Sequence, residues 1–222
     1  MTGSLSHLAA ALGAFLLTHS IPALRPVRAR CVALLGERGY LVAYSLVSLA
    51  TIIWVVLALV AAPYIELWTM TKTSMWITAI IMIPACVFLV FGLTTPNPFS
   101  IPINPEGFSP ESPGLLAITR HPLLLGLTLW AAAHIPPNGS IAAILVFGFA
   151  ALFSVVGMFT LDKRRKRTWG AETWRHKAQH THLVSWRPSA LPGMDWRWGV
   201  VALLYTGFIG LHPIVVGVSP LP

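Results

Sequence analysis

Histidine and arginine are the residues of this chain whose types and spacing could do chemistry. There are eight histidines, and four of them, His19, His121, His134 and His212, fall in or at the edge of long apolar runs. An ionisable side chain inside a membrane is costly and usually faces a bundle interior or a partner. Neutral imidazole is also the usual axial ligand of haem iron. The stretch TRHPLLLGLTLWAAAH (119–134) carries His121 at one end of an apolar run and His134 at the other. At 1.5 Å per residue the two lie about 20 Å apart along a helix, too far for one iron to take both. Depth in the threaded spans pairs His19 with His121 and His134 with His212. The remaining histidines, His7, His176, His180 and His182, read as interfacial or solvated.

Two local patterns extend this set. Gly126, Trp130 and His134 recur at i, i+4 and i+8, which is one face of a helix. A glycine there admits a flat ring and an aromatic stacks on it. The same pattern equally suits a core histidine bonded to a neighbouring helix, and both readings stay open. In RHP, Pro122 suits the first turn of a helix. Arg120 and His121 then flank a helix N-terminus, which attracts anions such as a carboxylate, a phosphate or a haem propionate. The plainer alternative is a cation marking the end of a span.

The elements that must position these residues are membrane helices. The chain has 222 residues, 55% hydrophobic and only 10% charged, with a mean hydropathy of +0.72. Apolar runs near the length needed to cross about 30 Å of hydrocarbon recur along it. We expect an all-α, polytopic membrane protein with a single domain over 1–222 and six spans: 5–22, 40–62, 75–93, 115–136, 140–160 and 197–217. The turn PPNG (136–139) makes the fourth and fifth an antiparallel hairpin. The net charge of +8 concentrates in RPVRARCVALLGER (25–38) and in the stretch that begins DKRRKRTWG (162–190). This distribution reads as the positive-inside rule rather than as a nucleic-acid surface. It puts the basic loops 23–39 and 161–196 in the cytoplasm and both termini on the other side of the membrane. A loop with six prolines (94–114) cannot be helical through its length; it is a linker or a lid over the mouth of the fourth span. Cys31 and Cys86 suggest no disulfide. The acidic residues Glu37, Glu66, Glu106, Glu111, Asp162, Glu172 and Asp195 all lie outside the apolar cores so drawn, so no buried carboxylate is expected.

Taken in order, THSIPALRPVR (18–28), GERGYLVAYSLVSL (36–49), TRHP (119–122), LWAAAH (129–134) and DKRRKRTWG (162–170) resemble the NnrU family over about residues 8–190. LHP (211–213) resembles a motif of plant relatives, the 15-cis-zeta-carotene isomerases. The resemblance implies bacterial membrane proteins of denitrification and nitric oxide metabolism, and in the isomerase branch a haem b held by histidines. The matching histidines are His19 and His134, a pair that depth alone disfavours. A cysteine of the isomerase branch stands at Ala131 here, so thiol exchange at that position is not available. RHP with Gly126 and downstream aromatics is also similar to isoprenylcysteine and phospholipid methyltransferases, which bind S-adenosylmethionine, although their tyrosine is Leu124 here.

Four functions follow as expectations. One is a haem-b protein acting on nitric oxide, and another a haem-dependent isomerase of a small hydrophobic polyene. The others are an S-adenosylmethionine-dependent methyltransferase and a non-enzymatic assembly factor. Haem b is the first cofactor choice, the lipid bilayer the first partner, and no nucleic acid is expected; whether the chain is an enzyme, and what would donate electrons to it, the residues leave open.

Overall fold

The computed structural model describes residues 3–22, 24–100 and 106–222. Its helices are α1 (Leu5–Ser20), α2 (Arg25–Ala61), α3 (Lys72–Thr94), α4 (Pro122–His134), α5 (Ile141–Trp169), α6 (Ala171–Ala178) and α7 (Trp196–Val215), with short 3₁₀ turns at Gly114–Ala117 and Pro188–Ala190. The all-α expectation holds. Among the described residues α2, α3, α5 and α7 are long and apolar enough to cross a membrane. The helices in the other two drawn spans are shorter. α1 has 16 residues and α4 has 13, or about 24 and 20 Å of rise against a hydrocarbon core of about 30 Å.

Three boundaries differ from expectation. The stretch 115–136 is not one helix: the 3₁₀ turn ends at Ala117, and residues up to His121 are non-helical before Pro122 opens α4. The basic stretch 25–38 is helical rather than a loop. α2 begins at Arg25 and turns at Gly36, whose φ of 70° and ψ of 166° break the helix in a conformation open chiefly to glycine. The segment 162–169 is also helical, as the last two turns of α5. Lys, Arg, Leu and Glu are good helix formers, so the appearance of charge marks a change of surroundings and not the end of a helix. Of the proline-rich loop, Pro102 and Pro105 lie outside the described residues.

The chain forms two compact units. The first comprises Met1–Trp68 and Gly139–Phe149. In it α1 packs on α2 around Leu8, Ala11, Val55 and Ala58, with Ala142 of α5 in the same cluster. The second comprises Thr69–Asn138 and Ala150–Pro222. There α3 packs against α4 and α7, around Cys86, Val90, Phe91, Leu115 and Val201. Thr71 and Ser74 form a reciprocal cap at the start of α3, satisfying two N–H groups that a helix end would leave bare. Tyr205 on α7 donates its hydroxyl to the Ala79 carbonyl of α3 at 3.1 Å.

α3 and α4 approach so closely because of two glycines. A Cβ on Gly92 would lie 2.5 Å from the Leu123 backbone nitrogen, and one on Gly126 would lie 2.9 Å from that of Leu89. Gly126 was read either as admitting a flat cofactor or as part of a core-facing stripe. Its hydrogen faces the backbone of α3, and the glycine serves helix contact.

Candidate functional site

The most organised polar cluster of the second unit forms where 119–121 leads into α4. The backbone here is non-helical and buried, so its N–H and C=O groups need partners. They come from residues 181–185. Arg120 N donates to His182 O at 2.8 Å and Ser185 N to Ile118 O at 2.8 Å, and Thr119 Oγ1 donates to Leu183 O at 2.7 Å. His182 Nδ1 and Ser185 Oγ both donate to Ala117 O, while Asn97 donates to Arg120 O. His182, read from the sequence as interfacial or solvated, belongs to this strap.

On this frame sit Arg120, His121 and Asp162. Arg120 donates to both oxygens of Asp162 through Nε and to Oδ2 through Nη2 at 2.6 Å. Its Nη1 donates to Thr181 O, and its guanidinium lies 5.4 Å from the centre of the Trp174 ring. His121 is fully buried. Its Nε2 lies 2.9 Å from Asp162 Oδ1 and donates to that carboxylate, while Nδ1 is buried with no hydrogen-bond partner among the described residues. Arg120 and His121 were read either as holding an anion or as marking the end of a span. The anion they hold is the chain's own: Asp162, with a side chain only 16% exposed. This corrects the expectation that every carboxylate stays outside the buried regions. Asp162 was missed because it opens a run of cations and looks like loop. Only its place at the last apolar turn of a helix could have flagged it.

The other candidate histidines present a different geometry. In α4, His134 Nδ1 is 2.7 Å from Trp130 O, and the two rings lie 5.4 Å apart. In α7, His212 Nδ1 is 2.6 Å from Val218 O. In the first unit, His19 Nδ1 is 2.9 Å from Phe15 O. That ring stacks on Phe15 at 3.9 Å and meets Tyr44 edge-on at 5.8 Å. A carbonyl oxygen only accepts, so each of these rings donates from Nδ1. In the neutral ring Nε2 then carries the lone pair, which is the tautomer that ligates a metal with its second nitrogen oriented by a carbonyl. His121 has the opposite arrangement, with Nε2 committed to Asp162. Among the described residues no group of three or more His, Cys, Asp or Glu could hold a bare metal ion. Haem iron, which takes its equatorial donors from the porphyrin, needs only one or two imidazoles.

No curated protein and no solved structure matches the chain. A family model described as NnrU protein matches residues 7–220, a span that takes in the final helix as well as the motifs from His19 to the basic stretch. With the match covering nearly the whole chain, this protein belongs to the NnrU family.

Proposed function

We propose that the chain is a haem-b-binding protein of the bacterial inner membrane, acting in nitric oxide and denitrification metabolism. The metabolic link comes from the family resemblance. The haem reading is carried by one observation: His19 and His134 each give the Nδ1 proton to the carbonyl four residues back in their own helix. That bond fixes the ring plane and leaves the ligating lone pair on Nε2. Each is therefore suited to act as an axial ligand, and His212 shares the tautomer at the end of α7. Each ring has aromatic neighbours within its own unit, Phe15 and Tyr44 at His19 and Trp130 at His134, and each set would offer an apolar wall to a macrocycle bound at that histidine. When bound, haem b would supply an iron able to take up or give up one electron and to bind nitric oxide. The basic stretches 25–38 and 162–190 put their side of the protein in the cytoplasm by the positive-inside rule.

The test is an absorption spectrum of detergent-purified protein, as isolated, after dithionite and after nitric oxide. A Soret band with sharp reduced α and β bands supports the reading, and a further change with nitric oxide supports a displaceable ligand. A protein expressed with haem precursor that shows no Soret band overturns it.

A further inference from the structure

We propose that the cationic end of α5 is a binding surface for anionic phospholipid headgroups. The run Lys163, Arg164, Arg165, Lys166, Arg167 occupies somewhat more than one helical turn, so its members cannot all face one way. Counting about 100° per residue, Asp162, Arg165 and Trp169 fall within roughly 60° of one another. This is the inward face. Asp162 bonds Arg120 and His121, Arg165 donates to the Phe99 and Ser100 carbonyls, and Trp169 meets buried Phe99 edge-on. Lys163, Arg164, Lys166 and Arg167 spread over roughly 160° of the opposite side. All four are exposed, and none takes part in an ion pair among the described residues.

The residues above these cations decide what the surface meets. Leu152, Val156 and Phe159 are exposed, and by the same count they project within roughly 60° of one another, inside the cationic sector. One face of α5 thus runs apolar for several turns and becomes cationic at Lys163. A nucleic acid or an acidic protein would meet only the charged end. A phospholipid leaflet matches both halves, its acyl chains along the apolar part and its phosphates at the cations. The strap supports the same level. Thr181 accepts from Arg120, which binds Asp162, the residue next to Lys163. Five residues after Thr181, Trp186 stands 91% exposed, as tryptophans of an interfacial belt do. Unpaired cations at this depth favour a headgroup with net negative charge over a zwitterionic one.

The experiment mixes the full-length protein in mild detergent with equal phosphatidylglycerol and phosphatidylcholine, and counts retained lipids by native mass spectrometry. The expected result is retention of phosphatidylglycerol over phosphatidylcholine by about fivefold for each cation engaged, weakening as sodium chloride rises from about 0.1 to 0.5 M. The variant Lys163→Gln/Arg164→Gln/Lys166→Gln/Arg167→Gln should bring the two lipids close to parity while keeping its helical circular dichroism. If that variant does not fold, Lys163→Gln/Arg167→Gln should lose part of the preference, and the wild-type comparison stands by itself. Equal retention of both lipids by the wild type overturns the proposal, and so does an unchanged preference in the folded variants. Complete displacement of phosphatidylglycerol by millimolar inorganic phosphate would assign the surface to free anions and would overturn it too.

Discussion

The carboxylate of Asp162 accepts from His121 Nε2 at 2.9 Å across 41 residues of sequence, and a bidentate Arg120 closes the other side. The last apolar turn of α5 is thereby joined to the entry of α4, and the strap 181–185 covers the junction. Charged hydrogen bonds of this kind are stronger than neutral ones, and they leave Arg120 little freedom to meet a ligand.

Removing Asp162 should therefore be costly, because it strands a largely buried guanidinium. Asp162→Asn should destabilise the detergent-solubilised protein by about 3 kcal/mol. The double change Arg120→Met/Asp162→Leu should cost less than Asp162→Asn alone, since it removes both charges. Thermal unfolding followed by circular dichroism compares them. A single variant as stable as the wild type would refute this account of the junction.

The close crossing of α3 and α4 makes Gly126 intolerant of a side chain. Gly126→Leu should cost about 1–3 kcal/mol by overpacking, and Gly126→Ala should also destabilise. Gly148 lies within α5, where an added Cβ meets nothing within 4 Å. Gly148→Ala should be neutral or stabilise by up to about 1 kcal/mol. The same melting assay separates the two glycines, and equal effects would contradict the crossing geometry.

On the proposed haem reading, axial ligation would separate the histidines spectroscopically. His19→Ala and His134→Ala should each abolish or shift the Soret band of the haem-loaded protein. His121→Asn, which removes a ring whose Nε2 belongs to Asp162, should keep the band position. Loss of haem in His121→Asn with retention in His134→Ala would reverse the assignment.

At the start of α7, Asp195 accepts from Arg197 N and from the Arg197 side chain. The side-chain bond is the main reason its carboxyl is held below the usual aspartate range. A lowered folded value stabilises the protein above the unfolded aspartate value, near pH 4, and this contribution fades as pH falls through the folded value. The margin of wild type over Asp195→Asn should be largest near neutrality and shrink in acid. It should be modest, because the pair is partly open to solvent. Melting temperatures of both proteins across that range provide the check, and a margin that grows in acid would exclude the mechanism.

Much of this protein is legible from composition and order alone. The apolar runs announce helices, because in hydrocarbon only a helix or a closed barrel satisfies its own backbone. The tight turn at 136–139, the proline that begins α4, and the set of motifs from His19 to DKRRKRTWG needed no coordinates. What the residues could not reveal is which way each helix faces. Cys86 and Gly126 sit in helices that are apolar almost all round, and a helix without a polar side carries no pattern to mark its buried face. Within 162–168 every residue is polar, so the run itself does not tell Arg165 from Arg164. Packing decided it: once α5 presents Asp162 to Arg120 and His121, the helical repeat turns Arg165 and Trp169 inward and leaves Lys163, Arg164, Lys166 and Arg167 outside. The chemistry of the histidines divides in the same way. Their place in or beside apolar runs is a property of the sequence, but which partner takes a ring's N–H depends on what the fold brings beside it. At His19 and His134 that partner is a carbonyl of the same helix; at His121 it is a carboxylate 41 residues away.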